Sequence, residues 1–187
     1  MDFREFSNQL QSLYTEMSQT FSDFQKQTQL PCLNNCTSCC LNPEIEATPF
    51  EMIPMAVKIL DEGRLEEIYE KLENPDTSSC VMVQKNKCEF YDQRPPICRM
   101  FGVAGFYKKD QSMTLSICKL IKEENKDLLE RLMKDIPTNA PVMSHWITRL
   151  KSIDPNMDQE RQPINNALKS ALERVALWDT IIKISNT

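Results

Sequence analysis

Apolar residues in the first thirty positions recur at steps of three and four: Phe3, Phe6, Leu10, Leu13, Met17, Phe21 and Phe24. That spacing lays one apolar stripe along a helix of roughly 25 residues, and core packing is its expected use. The helix should end before Pro31. Thr48-Pro49-Phe50-Glu51 predicts the next start, with Thr48 capping, Pro49 in the first turn and Glu51 closing a capping box. This helix should run to about Asp61, with Gly63 beyond its end, and a second short one should cover 65–72 and stop near Asn74-Pro75.

The centre changes character. CVMVQ, CEFY and SMTLSI are short, rich in β-branched and aromatic residues, and Met113, Leu115 and Ile117 alternate. They predict two or three short strands joined by turns. Helical spacing returns over 119–133, 141–151 and 163–184, the last with Ile164, Leu168, Leu172, Val175, Trp178 and Ile182 on one face. The expected fold is mainly α with a small β-element, a single compact domain organised around a cysteine-rich metal site. Residues 1–30 would form the N-terminal amphipathic helix, 31–120 the cysteine-rich region, and 121–187 C-terminal helices packing on the same domain.

A chain of 187 residues can bury a core without covalent staples. MDFREFSNQL has no apolar h-region and no stretch is long enough to span a bilayer, so the expected location is the cytoplasm. Thiols stay reduced there, and metal binding becomes the leading use of the eight cysteines. The net charge of −5 argues against nucleic acid. Residues 80–119 nevertheless carry seven Lys or Arg against three Asp or Glu. A site holding several thiolates would be offset by such cations, although a solvated basic face explains them equally well. With three glycines, no dinucleotide or phosphate loop can be written.

The cysteines read C-x3-C-x2-C-C at Cys32, Cys36, Cys39 and Cys40, followed by Cys80, Cys88, Cys98 and Cys118. A vicinal Cys39–Cys40 disulfide would need a strained ring in the wrong compartment. Tetrahedral zinc typically uses two C-x2-C knuckles, and only Cys36–Cys39 makes one. A cubane iron–sulfur cluster is a larger object that a short loop can ligate several times in succession. Cys32, Cys36 and Cys39, with Cys98 or another distant thiol, suit it, and a 4Fe–4S cluster is favoured over zinc. The same spacing occurs in radical S-adenosylmethionine enzymes, but the strands and glycines of their barrel are missing. On an extended segment Cys39 and Cys40 would face opposite ways, leaving Cys40 to a second site or to the core.

The joint pattern, C-x3-C-x2-C-C then C-x7-C-x2-Y-x2-R-P-x2-C-R, resembles the YkgJ-like cysteine cluster family, a zinc- or iron-chelating domain. Cys32, Cys36, Cys39, Cys40, Cys80, Cys88, Tyr91, Arg94, Pro95, Cys98 and Arg99 carry it, with Cys118 as the usual late cysteine. The resemblance covers about residues 32–118 and implies metal chelation by these thiols. A similar module occurs in flagellin lysine N-methylases, which use S-adenosylmethionine and are associated with an iron–sulfur cluster. This raises the weight on iron without identifying a methyltransferase, since no cofactor-binding segment or catalytic residue can be carried over. A metal-stabilised platform for a protein partner is a further alternative. Arg94 and Arg99 flank Cys98 and could donate to thiolate or sulfide. For Arg94 an ion pair with Asp92 or Glu89 competes with that role. Pro95-Pro96 would stiffen the turn delivering Cys98, and Tyr91 could cover the site. His145, the one histidine, is expected to be an ordinary helix residue.

Overall fold

The computed structural model describes residues 2–30, 32–33, 36–73, 79–100, 105–109, 112–155 and 160–185. Its helices are α1 (Phe3–Thr28), α2 (Ile53–Asp61), α3 (Leu65–Glu73), α4 (Pro96–Met100), α5 (Lys119–Glu124), α6 (Lys126–Lys134), α7 (Met143–Ile153) and α8 (Ile164–Ser185). Among the described residues six short strands, β1 (Glu46–Ala47), β2 (Val83–Gln84), β3 (Lys87–Cys88), β4 (Gly105–Lys109), β5 (Ser112–Ser116) and β6 (Gln162–Pro163), form three antiparallel pairs, β1–β6, β2–β3 and β4–β5. The fold is mainly α with small β-elements.

The N-terminal stripe becomes α1. Asp2 caps it by accepting from the Arg4 and Glu5 amides at 2.8 and 3.2 Å. Gln29 closes it in the left-handed region, at φ 56°. The stripe is buried from Phe6 to Phe24, and Phe3 packs edge-on to Trp178. Helices α2, α4 and α7 pack against α1, and α8 lies across α2. Leu10, Tyr14, Ile53, Ala56, Leu168 and Leu172 meet in this main core. A smaller apolar cluster joins Phe24 and Leu30 to Phe106, Ile121, Leu129 and Leu132. Helix α1 therefore runs through both clusters and ties them together.

Two helix expectations are corrected. The capping box forms: Glu51 N–H donates to Thr48 Oγ1 at 3.2 Å and Thr48 N–H to Glu51 Oε2 at 2.8 Å. Yet residues 49–52 make tight turns, with Met52 N–H on Pro49 O and Ile53 N–H on Phe50 O, and the helix begins only at Ile53. Pro54 has no N–H to return to Phe50, so it suits the first turn and not an interior position. The helix expected over 119–133 is broken at Asn125, whose Nδ2 donates to Ile121 O at 2.9 Å. That side chain takes the carbonyl a continuous helix would give to a backbone amide.

Strand β5 falls within SMTLSI, but β2 keeps only the last two residues of CVMVQ and β3 only the first of CEFY, whose Tyr91 begins a 3₁₀ turn, and β1, β4 and β6 carry no clear alternation. In β4 a Cβ at Gly105 would stand 3.1 Å from Phe21 Cε1, so the strand lies tight against α1. Pro31 and Asn74-Pro75, expected to stop two helices, and Gly102 lie outside the described residues. Among the described residues no helix is long and apolar enough to cross a membrane.

Glu51 is buried yet carries a charge partner, with Arg161 Nη2 at 3.2 Å from Oε2. Burial pushes its carboxyl above the usual range and outweighs Arg161 and the Thr48 amide, which pull it down. A raised folded-state value stabilises the fold below the unfolded carboxylate value of about 4.3 and loses that contribution as pH rises through the folded value. Glu51→Gln lacks this titration. The parent's stability relative to this variant should fall as pH rises from about 4.3 through the raised folded-state value, measured by urea unfolding.

Candidate metal centre

The first thiols sit on a run of turns. Cys36 N–H donates to Leu33 O at 3.2 Å, Cys40 N–H to Thr37 O at 2.8 Å, and Asn42 N–H to Cys39 O at 3.3 Å. The segment is not extended, so the expected divergence of Cys39 and Cys40 does not occur: their Sγ atoms are 4.0 Å apart. Cys80 N–H donates to Cys40 O at 2.8 Å and joins the second segment to the first. Lys85 and Asn86 both adopt left-handed φ, 47° and 60°, as a two-residue hairpin turn requires. The hairpin sets Cys88 opposite Val83. After Pro95-Pro96, Cys98 enters in the first turn of α4, its N–H on Pro95 O at 3.0 Å.

These three segments enclose a cavity of about 530 Å³ lined by Cys32, Cys36, Cys39, Cys40, Cys80, Cys88 and Cys98. Cys32 is exposed, the other six are partly buried, and all are free thiols. Met52, Met55, Ile45 and Ile164 form the apolar side. Cys118 is not in the lining. It precedes α5 and packs half-buried against the smaller apolar cluster, near enough to Cys32 for its charge to act there. His145 is exposed on α7 against Trp146 and does not line the cavity.

The cavity is hostile to bare thiolates. Burial pushes Cys98 well up and Cys80 to about 11, and it raises Cys32 and Cys88. Cys39 is raised chiefly by its hydrogen bond with Cys40, then by burial. Arg94 pulls the other way on Cys39, Cys88 and Cys98. Its guanidinium lies 3.3 Å from the Tyr91 ring centroid, with Nε on Tyr91 O at 2.8 Å and Nη1 on Cys98 O at 3.5 Å. The competing pair with Glu89 is not made, because Glu89 is held by Arg64 and Lys71 at 3.1 and 3.2 Å. Tyr91 itself is exposed at the cavity wall.

Arg99, also singled out by the motif, does not line the thiol cavity. It is buried and its donors are spent on three backbone carbonyls and one hydroxyl: Nε donates to Arg94 O at 2.7 Å, Nη1 to Tyr14 O at 3.3 Å and Ser18 Oγ at 2.5 Å, and Nη2 to Asp92 O. Burial lowers its pKa to about 10, which leaves it cationic at neutral pH. Arg99 thus bolts the loop before Cys98 to α1.

Among the described residues no three His, Cys, Asp or Glu side chains are already arranged to hold a single ion. The donor chemistry is nonetheless uniform. Seven cysteines dominate the lining, its charged residues are Lys87 and Arg94, and no carboxylate or imidazole is among the lining residues. Such a set fits a thiophilic metal or a cluster whose net charge is negative. Lys87 and Gln25 complete the wall; nothing in the sequence marked them, since one sits on a hairpin and the other beside the stripe of α1.

A helical domain that gathers thiols from three chain segments round one cavity defines a cysteine-based chelating protein. The model of the CxxCxxCC family, described as "Putative zinc- or iron-chelating domain", matches residues 31–127, just over half of the chain, and the chain belongs to that family. No curated protein and no solved structure matches it.

Replacing Arg99 with Lys should not restore the bolt, because an ammonium cannot fork to four acceptors in these directions. Arg99→Lys should lower unfolding free energy by about 2 kcal/mol or more, measured by urea denaturation.

Proposed function

We propose that the cavity holds a four-iron iron–sulfur cluster through four of its seven thiols, in a structural or electron-transfer role. The observation that carries this is the meeting of seven cysteines around one space of about 530 Å³. A lone tetrahedral ion with bonds of about 2.3 Å would draw four sulfurs to one point and leave much of that volume unfilled. A cluster presents several irons over a wider surface, which matches sulfurs not gathered at single-ion distances. When bound, it supplies a one-electron redox couple.

The chain's own residues do the rest. Cys39, Cys80, Cys88 and Cys98 are the best-supported ligands, because each is partly buried and each responds to Arg94 or to another of the four. Lys87 and Arg94 offset the thiolate charge, while Met52 and Met55 keep water from one side. Cys32, Cys36 and Cys40 also line the cavity and remain ligand candidates. Cys118 is assigned to packing. Ligation would cross-link three segments, so folding and binding should be linked.

Zinc is the second reading, and one distance favours it. The 4.0 Å between Cys39 and Cys40 Sγ is close to the roughly 3.8 Å edge of a tetrahedron with bonds of about 2.3 Å. Anaerobic purification followed by metal analysis, acid-labile sulfide and absorption separates the two. A brown protein with iron and sulfide in equal amounts is expected, and reversible bleaching by a reductant would mark a redox role. A colourless protein with stoichiometric zinc overturns the cluster.

Cys39→Ser should lose bound metal and melt at lower temperature than the parent, whereas Cys118→Ser should keep its full metal content. Retention in the first variant, or loss in the second, would reverse the ligand assignment.

A further inference from the structure

Helix α8 has two apolar faces, and the core uses one of them. Ala167, Leu168, Ala171, Leu172 and Val175 are buried against the rest of the fold, and no residue from Ala176 to Ser185 is. Ile182 continues that face past the end of the core and is 42% exposed. Leu177, Ile181 and Ile184 are 63, 52 and 70% exposed. At about 100° per residue they fall within about 60° of one another, on the side of the helix roughly opposite Leu168. A single exposed apolar side chain is ordinary, whereas a row at steps of four and three makes a seam. Nothing local calls for isoleucine there, since β-branched side chains weaken helix propensity.

The charges beside the seam say what fits it. Glu173 and Arg174 stand at its start and Asp179 and Lys183 along it, two of each sign, with Lys183 Nζ 2.6 Å from Asp179 Oδ2. Such a balanced border favours neither an anionic lipid surface nor a nucleic acid, and it complements itself when reversed. We propose that the seam pairs with the same seam of a second copy of the chain, antiparallel about a two-fold axis between Leu177 and Ile181. Leu177 of each copy then packs on Ile181 of the other. Glu173 comes within a helical turn of Lys183 of the second copy, on the same side of the seam, whereas parallel pairing would set like charges together. Two turns of helix cover less than the roughly 800 Å² per partner of a standard interface, so the dimer is weak, with a dissociation constant of about 100 µM. The seam begins about 20 Å along α8 from Ile164, which lines the thiol cavity, so the inference stands apart from the cluster proposal.

The test is sedimentation equilibrium of the full chain, as purified under reducing conditions, from about 5 to about 500 µM. The average mass should rise with concentration from one chain towards two. Leu177→Glu and Ile181→Glu should each raise the dissociation constant at least about tenfold, with melting curve and metal content unchanged. Glu173→Lys alone and Lys183→Glu alone should each weaken the dimer about threefold, and the double exchange should restore it. A chain that stays monomeric at the highest concentration overturns the proposal, as does one that stays monomeric but sediments with phosphatidylcholine–phosphatidylglycerol vesicles. Dimers that persist at full strength in both glutamate variants, or charge exchanges that fail to compensate, would overturn it equally.

Discussion

The constraint on which the structure turns is the crowding of sulfur around a partly dry space. Seven thiols cannot all ionise there, because each buried negative charge raises the cost of the next and only Lys87 and Arg94 answer them. Burial raises the Cys32, Cys80, Cys88 and Cys98 thiols and the contact with Cys40 raises Cys39, so a metal binding these sulfurs must displace protons. Positive charge from an inorganic centre resolves what the side chains alone leave frustrated. The surrounding fold is arranged to tolerate this. Helices α1, α2 and α8 supply the packed core, while the sulfur-bearing segments are turns, a two-residue hairpin and one short helix.

Arg99 links these two parts. A cation buried beside other cations is ordinarily unfavourable, and here three backbone carbonyls and a serine hydroxyl accept from it. Its geometry fixes the loop at Asp92 and Arg94 to the middle of α1 and thereby sets where Cys98 can lie. Arg94, five residues earlier, is free to stack on Tyr91 and line the thiol cavity. Two arginines flanking one cysteine have thus separated into an anchor and a counter-charge. Their sequence positions alone gave no basis for that distinction.

Much of the helical frame could be read from spacing, because the stripes of α1 and α8 are long and their period is unambiguous. The cysteine cavity was legible as a convergence of motifs, since C-x3-C-x2-C-C and the later cysteines have little other common purpose. Turn geometry was harder. Whether Cys39 and Cys40 diverge depends on the local backbone, and the Thr37 carbonyl bonds that curl this segment leave no trace in residue type. The strands β1 and β6 are two residues long and exist through their pairing with each other, so no alternation could have announced them. Asn125 did carry a signal, a side chain able to rob a helix of a carbonyl, but the apolar pattern ran through it.

Helix α1 contributes to both apolar clusters and to the wall of the thiol cavity, yet it precedes the stretch by which the family is defined. An excised fragment bounded by that stretch would bare the surfaces that Leu10, Tyr14, Met17 and Phe24 now cover. It would also leave the guanidinium of Arg99 without Ser18 and the Tyr14 carbonyl. The cysteine-bearing segment is thus an incomplete object in this protein, and its shape is borrowed from a neighbour the motif does not mention.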